Sequence, residues 1–371
     1  KNDTAFFAVE GTGKDYVLKG KPKITVTGNV SFGIRTIDLM SDIPNKNGVF
    51  QIELEMDGQE LFDITMDKLS FSTSRYINSL IDYNYYQKAE RRVVRTQVDP
   101  NNKLFNYKKV KNQGVVYFYD EMMHRFVFRV KDAYDNTSEL KFDVVSIVPE
   151  SKPVSIAKAK SENTEFFEFD EDNYFAKNGI FLNFPEDAFY RSFWFQFKEV
   201  KTDSTKFSPV YQVHNKFTPV QKSFTVEILP ANYPQKLKQK LFIAFSPEAK
   251  NYSYLGSEWN GQKLAANSRQ LGYFTVLADT IAPTISPVNI SNNKNITAQN
   301  SIKITIKDKQ TGIKKYRGTL NGKWILMEYD AKNNLLTYDY DDRLIKGENL
   351  FKIVVSDQLD NESVYQAKLT Y

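Results

Sequence analysis

The sequence contains no cysteine, which excludes disulfides, zinc–thiolate sites, iron–sulfur clusters and thiol nucleophiles while leaving the compartment open. Only two histidines occur, His124 and His214. Most hydrolase and metal sites use at least one well-placed imidazole, and neither of these stands in a His-x-His pair. There is no Gly-x-Ser-x-Gly elbow, and no glycine pattern of the Walker or dinucleotide type. No apolar run approaches the roughly 18 residues of a membrane-spanning helix, and Lys1-Asn2-Asp3-Thr4 is not a signal peptide. The chain is therefore expected to be soluble, with its start trimmed. Excess charge of one sign is also small. Against 50 Lys and Arg stand 45 Asp and Glu, a net +5 spread over 371 residues, too mild to imply nucleic acid.

Aromatic residues, by contrast, make up 14% of the chain, as 28 Phe and 22 Tyr but 3 Trp. They fall in short alternating runs with Val, Ile and Thr, which is strand chemistry. Examples are 23–27, Phe50 to Met56, Arg125 to Val130, Lys222 to Ile228 and Ser301 to Ile306. Each run buries one face and wets the other, as in an antiparallel sandwich. Turn signals separate them at Asn47-Gly48, Asp57-Gly58, Asn178-Gly179, Asn260-Gly261 and Asn321-Gly322. The best helical candidate is Arg75 to Arg95, whose Tyr and Asn content limits it to one or two short turns.

The predicted fold is all-β, with three β-rich domains, antiparallel sandwiches, the last immunoglobulin-like. Boundaries fall at the proline-bounded stretch around Pro149 to Pro153 and at Ala278 to Pro283, giving domains 1–150, 151–279 and 280–371. The first and third close alike. Phe126 to Ser138 and Leu350 to Ser363 each run an apolar strand into Asp-x-x-Asp-Asn-x-Ser and then a further strand. Asp and Asn side chains bond the backbone of such turns. The same oxygens could hold calcium, but the spacing is not that of an EF-hand, and a structural turn is the preferred reading.

Three groups of residues carry a resemblance. Gly28 to Asp38, Asn47 to Phe50 and Arg75-Tyr76-Ile77-Asn78-Ser79-Leu80-Ile81-Asp82-Tyr83 form the first. Tyr273 to Pro283 forms the second, and Gly312-Ile313 through Asn321-Gly322-Lys323-Trp324-Ile325-Leu326-Met327-Glu328-Tyr329-Asp330 the third. Together they resemble the region after the catalytic domain in lysostaphin-type (LytM-like) zinc metallopeptidases of Bacteroidetes. The resemblance implies an exported, periplasmic or outer-membrane-associated protein. The family's zinc is held by histidines and an aspartate that have no counterparts here. No catalytic residue is carried over, no cofactor is expected in this chain, and zinc is expected only if an upstream catalytic domain exists.

The remaining constellations have bland readings beside them. His214 reads as a half-exposed strand residue and His124 as structural. Paired carboxylates for glycoside hydrolysis depend on spacing in three dimensions. Asp170-Glu171-Asp172 and Asp339-Tyr340-Asp341-Asp342 read as solvated turns before cation sites. Aromatic runs holding Tyr83, Tyr85 and Trp194 are candidates for a sugar-binding surface, with half of each run core by alternation. Lys236 to Lys240 and the Arg91, Arg92, Arg95 group read as charged edges that deter aggregation. Under the resemblance, Asp-Ser/Thr-aliphatic tripeptides make Thr4, Ser204 and Thr280 candidate O-glycosylation sites. The expected function is that of a non-catalytic region positioning an enzyme or partner at the envelope. An envelope protein or peptidoglycan is the expected partner, and nucleic acid is not. The alternatives are a structural subunit of an outer-membrane complex, a glycan-binding module and, less favoured, a carboxylate-only enzyme.

Overall fold

The computed structural model describes residues 4–39, 46–148, 164–200 and 205–371. It is an all-β protein of sandwiches in series. The first contains an eight-stranded sheet whose centre is the hairpin Met123–Lys131 and Thr137–Ser146, flanked by Gln51–Met56 and Gln59–Thr65. Alternation along these strands turns Leu54, Phe62, Phe126 and Val144 inward, all at most 1% exposed. They pack against a second layer made of two strand pairs, Gly28–Ser31 with Val115–Phe118 and Gly33–Ile34 with Val94–Arg95. Gly114 fastens that layer. Its φ is +73°, and a Cβ there would lie 1.8 Å from the Thr96 carbonyl oxygen, so only glycine fits.

The middle sandwich joins a six-stranded sheet, Thr164–Phe167 to Ser253–Gly256 at its edges, to a five-stranded one bounded by Asn173–Lys177 and Glu258–Asn260. Among the described residues all its pairings are antiparallel. Its core is almost wholly aromatic along one seam, with Phe167 stacked on Phe195 and Phe184 on Phe224, each pair 4.3 Å apart. The last sandwich is immunoglobulin-like, with four strands facing five over Ile302, Ile304, Leu336, Phe351 and Ile353.

Asp57-Gly58, Asn178-Gly179 and Asn321-Gly322 each close a two-residue hairpin with both residues left-handed. Asn47-Gly48 does not. Asn47 is instead paired with Asp38, and the next strand starts at Gln51. A second difference is parallel pairing: Asp15–Leu18 and Ile24–Val26 run parallel to Thr137–Ser146, and Lys294–Asn295 parallel to Glu362–Thr370. Period-two alternation fixes which face is buried but carries no information about the direction of a neighbour. The helical stretch falls where expected but exceeds the one or two turns predicted from its Tyr and Asn content. A turn at Ser74–Tyr76 leads into Ile77–Leu80, and Tyr83–Ala89 is capped by Asp82, whose carboxylate accepts from the Tyr85 N–H at 2.9 Å. Among the described residues no helix is long and apolar enough to cross a membrane.

Candidate functional site

Directed polar contacts gather where the sandwiches meet. At the first joint, the short helices of the first sandwich meet the 185–191 loop of the middle one. The Arg75 guanidinium donates to the Val220 carbonyl at 2.9 Å and to that of Arg269 at 3.3 Å. The Tyr190 hydroxyl lies 2.7 Å from the Arg75 carbonyl and 2.6 Å from the Gln221 side-chain amide. Its ring, buried in the core of the first sandwich, meets Tyr76 edge-on at 5.9 Å. Burial pushes its phenol pKa up, so it stays neutral and keeps its proton to donate. The Asn101 side-chain amide donates to the Phe189 carbonyl at 2.7 Å, and the Lys103 ammonium meets the Asp187 carboxylate at 2.6 Å. Behind this contact, buried Ser79 and Asp99 are hydrogen-bonded at 2.6 Å, and Arg95 bonds both. Arg95 is therefore a structural ion-pair residue within its own sandwich.

At the second joint the repeated closing turn is the contact. Asp357 accepts through one oxygen from the Leu359 and Asn361 N–H groups, both at 2.9 Å, and through the other from the Asn361 side chain at 2.6 Å. This holds the turn so that Leu359 enters the middle sandwich against Phe242 and Ala244, with Tyr252, Tyr254 and Leu277 around it. The Lys240 ammonium donates to the Leu359 carbonyl at 2.7 Å, and the Asn361 side chain to the Asp279 carbonyl at 3.1 Å. Lys240 thus serves the joint, while Lys238 lies over the Trp259 ring at 4.9 Å.

Three carboxylates converge beneath this turn. Asp279, Asp308 and Asp357 each place an oxygen within 4.8 Å of the other two, and Asp279 and Asp357 are fully buried. Burial, then the charges of Asp308 and Asp357, push the Asp279 pKa up against bonds from Ile281 and Thr311 that pull it down. The oxygens are of the kind a hard cation takes, yet all three carboxylates already accept hydrogen bonds from backbone or side chains. Sequence reading singled out Asp357 through its turn and missed Asp279 and Asp308. The available signal was Asp308-Lys309-Gln310-Thr311-Gly312, where one Asp308 oxygen accepts from three successive N–H groups.

His124 lies between two carboxylates, with Nδ1 2.6 Å from Asp57 and Nε2 2.9 Å from Asp120. Burial works against its charge, but the two carboxylates outweigh it and raise its pKa. His214 is not the half-exposed strand residue expected. It is buried just after Val210–Val213, left-handed at φ 52°, with Nδ1 accepting from the Gln196 N–H and Nε2 3.0 Å from the Thr218 hydroxyl. Burial lowers its pKa to about 4, so it is neutral.

The proposed aromatic surface is not brought together by ring contacts. Tyr85 stacks on Phe6 at 4.6 Å, Trp194 meets Phe166 edge-on at 5.3 Å, and Tyr83 is half-buried near Arg75 and Gln87. Thr4 and Thr280 are exposed, whereas Ser204 lies outside the described residues. In the two acidic clusters, Asp341 accepts from the Arg343 N–H two residues on, as in a turn, while Asp172 accepts from the Glu186 N–H and ties two loops together.

A family model described as a Zu5-like domain matches residues 164–279. No curated protein matches the chain. Among solved structures, the fibronectin(III)-like modules of Clostridium thermocellum CbhA are 6% identical, covering 98% of this chain and 93% of that one at a TM-score of 0.19. A Bacteroides ovatus protein of a mixed-linkage glucan utilization locus, SGBP-B in complex with a heptasaccharide, is 8% identical. That match covers 100% of this chain and 71% of the other at a TM-score of 0.16. A bacterial ice-binding adhesin is 10% identical, covering 100% and 98%, at 0.17. Likenesses at this level carry no argument about function.

Proposed function

We propose that this chain is the non-catalytic β-domain region of an exported, lysostaphin-type peptidase-like protein, and that it holds an enzyme or partner in a fixed place at the cell envelope. The observation that carries this reading is what the Arg75-Tyr76-Ile77-Asn78 string does. These residues, quoted above for their likeness to that family, are spent on a joint: Arg75 bonds two carbonyls of the next sandwich and Tyr76 packs on Tyr190. A spacer that only separated its ends would need no such contact, because linked domains move relative to each other unless their interface is specific. The chemistry of the reading is binding by preformed surfaces.

The test is intact-mass and N-terminal analysis of the native protein, purified from its source in gentle detergent with whatever accompanies it. A chain that extends upstream of Lys1 and carries a His-x-His pair supports the peptidase-like reading. A native start near Lys1 with stoichiometric membrane proteins makes it a subunit of an outer-membrane complex and overturns that reading.

A further inference from the structure

The turn that forms the second joint has a twin at the end of the first sandwich. Asp132 accepts from the Tyr134 and Asn136 N–H groups, at 2.8 and 2.9 Å, and from the Asn136 side chain at 2.7 Å. These are the bonds Asp357 makes to Leu359 and Asn361. Asp135 and Asp360 are both left-handed, at φ 63° and 57°. Six residues after each leading aspartate, a serine hydroxyl holds the carbonyl of a residue just before a strand near its sandwich's start, Ser138 that of Gly13 before Asp15–Leu18 and Ser363 that of Pro283 before Thr284–Pro287. The two turns therefore occupy the same place in their sandwiches.

They differ in what they touch. Leu359 is 6% exposed inside the middle sandwich, while Tyr134, at the same turn position, is 87% exposed. Across the joint the Leu359 carbonyl is held by Lys240, which also lowers the Asp360 pKa, while Asp360 is paired with Lys314 of its own sandwich. Among the described residues, neither the Tyr134 carbonyl nor the Asp135 carboxylate has a counterpart of these lysines. The described part of the N-terminal segment does not supply one. Val9–Thr12 folds back on Asp15–Leu18, so Val9 sits beside Leu18, roughly 13 Å along the strands from the turn, and Phe6 continues to Tyr85.

We propose that the Asp132–Asn136 turn is a docking tip that inserts Tyr134 into an apolar β-sheet face of a separate protein, rimmed by lysine or arginine, as Leu359 enters the middle sandwich. The socket is described by its twin: an apolar patch of the make-up of Phe242, Ala244 and Tyr254, with one cation, in the place of Lys240, set against the turn carbonyl and near the acid beside it. Aromatic anchors entering desolvated pockets are where interfaces concentrate their affinity. This identifies the kind of partner within the positioning role proposed above, and rests on that role.

The experiment places a photoreactive benzoylphenylalanine at position 134 of the full chain in its source cells, maps the cross-linked peptide, and compares recovery of that partner by the unmodified chain and by Tyr134→Asp. The expected result is a cross-link to a β-strand of another polypeptide, and a loss of about tenfold or more in its recovery with Tyr134→Asp at unchanged thermal stability. Cross-links only to glycan, lipid or a second copy of this chain overturn the proposal. So does a partner retained equally by Tyr134→Asp, which leaves the positioning role standing through another surface. An unreacted label in a protein that is recovered with no partner at all overturns both.

Discussion

At the scale of single residues, the two histidines pull stability in opposite directions with pH. His124 has its pKa raised above the ordinary 6.5 because both ring nitrogens face carboxylates, Asp57 and Asp120, which outweigh its burial. A raised pKa means that its stabilising contribution is complete below 6.5 and fades as pH climbs through the higher folded value. His214 is the reverse case, lowered to about 4 by burial. Its contribution is present above the unfolded value and is lost as pH falls towards 4, up to about 3 kcal/mol. Thermal unfolding across pH should therefore decline on both sides of roughly pH 6 to 7. His124→Asn should flatten the alkaline limb and His214→Asn, which suits the left-handed backbone, the acid limb. Unaltered limbs in both variants would show that other groups control the profile.

At the scale of elements, the strands, their buried faces and three of the hairpins could be read from alternation and from Asp-Gly or Asn-Gly pairs. The reason is physical: a half-buried strand must alternate, and a two-residue hairpin needs two left-handed residues. The joints were not legible. Asp279, Asp308 and Asp357 are far apart in sequence and meet only because two sandwiches do, and His214 could not be told from an exposed strand residue without its aromatic neighbours Phe193 and Phe195. The repeated turn was visible as a pattern, but nothing in Asp-x-x-Asp-Asn-x-Ser says that one copy is buried and the other free. That difference is measurable in the full chain. Leu359→Ala should cost about 2–3 kcal/mol in urea unfolding, as for a buried leucine, while Tyr134→Ala should stay within about 0.5 kcal/mol. Equal costs would mean that the second joint is not formed in solution.

At the scale of the whole molecule, the claim that matters is that the sandwiches are held in one arrangement, because a positioning region that hinged freely would position nothing. Both joints rest on directed bonds to backbone carbonyls, from Arg75 and Asn101 at the first and from Lys240 and Asn361 at the second. Such bonds fix orientation as well as contact. The absence of cysteine makes the test clean, since two introduced thiols are the only ones in the chain. Spin labels at Tyr117→Cys in the first sandwich and Val364→Cys in the last, both exposed, report the distance across both joints by pulsed electron resonance. The expected result is a single narrow distance distribution that broadens when Arg75→Ala and Lys240→Ala are added. A broad distribution with both joints intact would contradict the claim that this chain is a fixed scaffold.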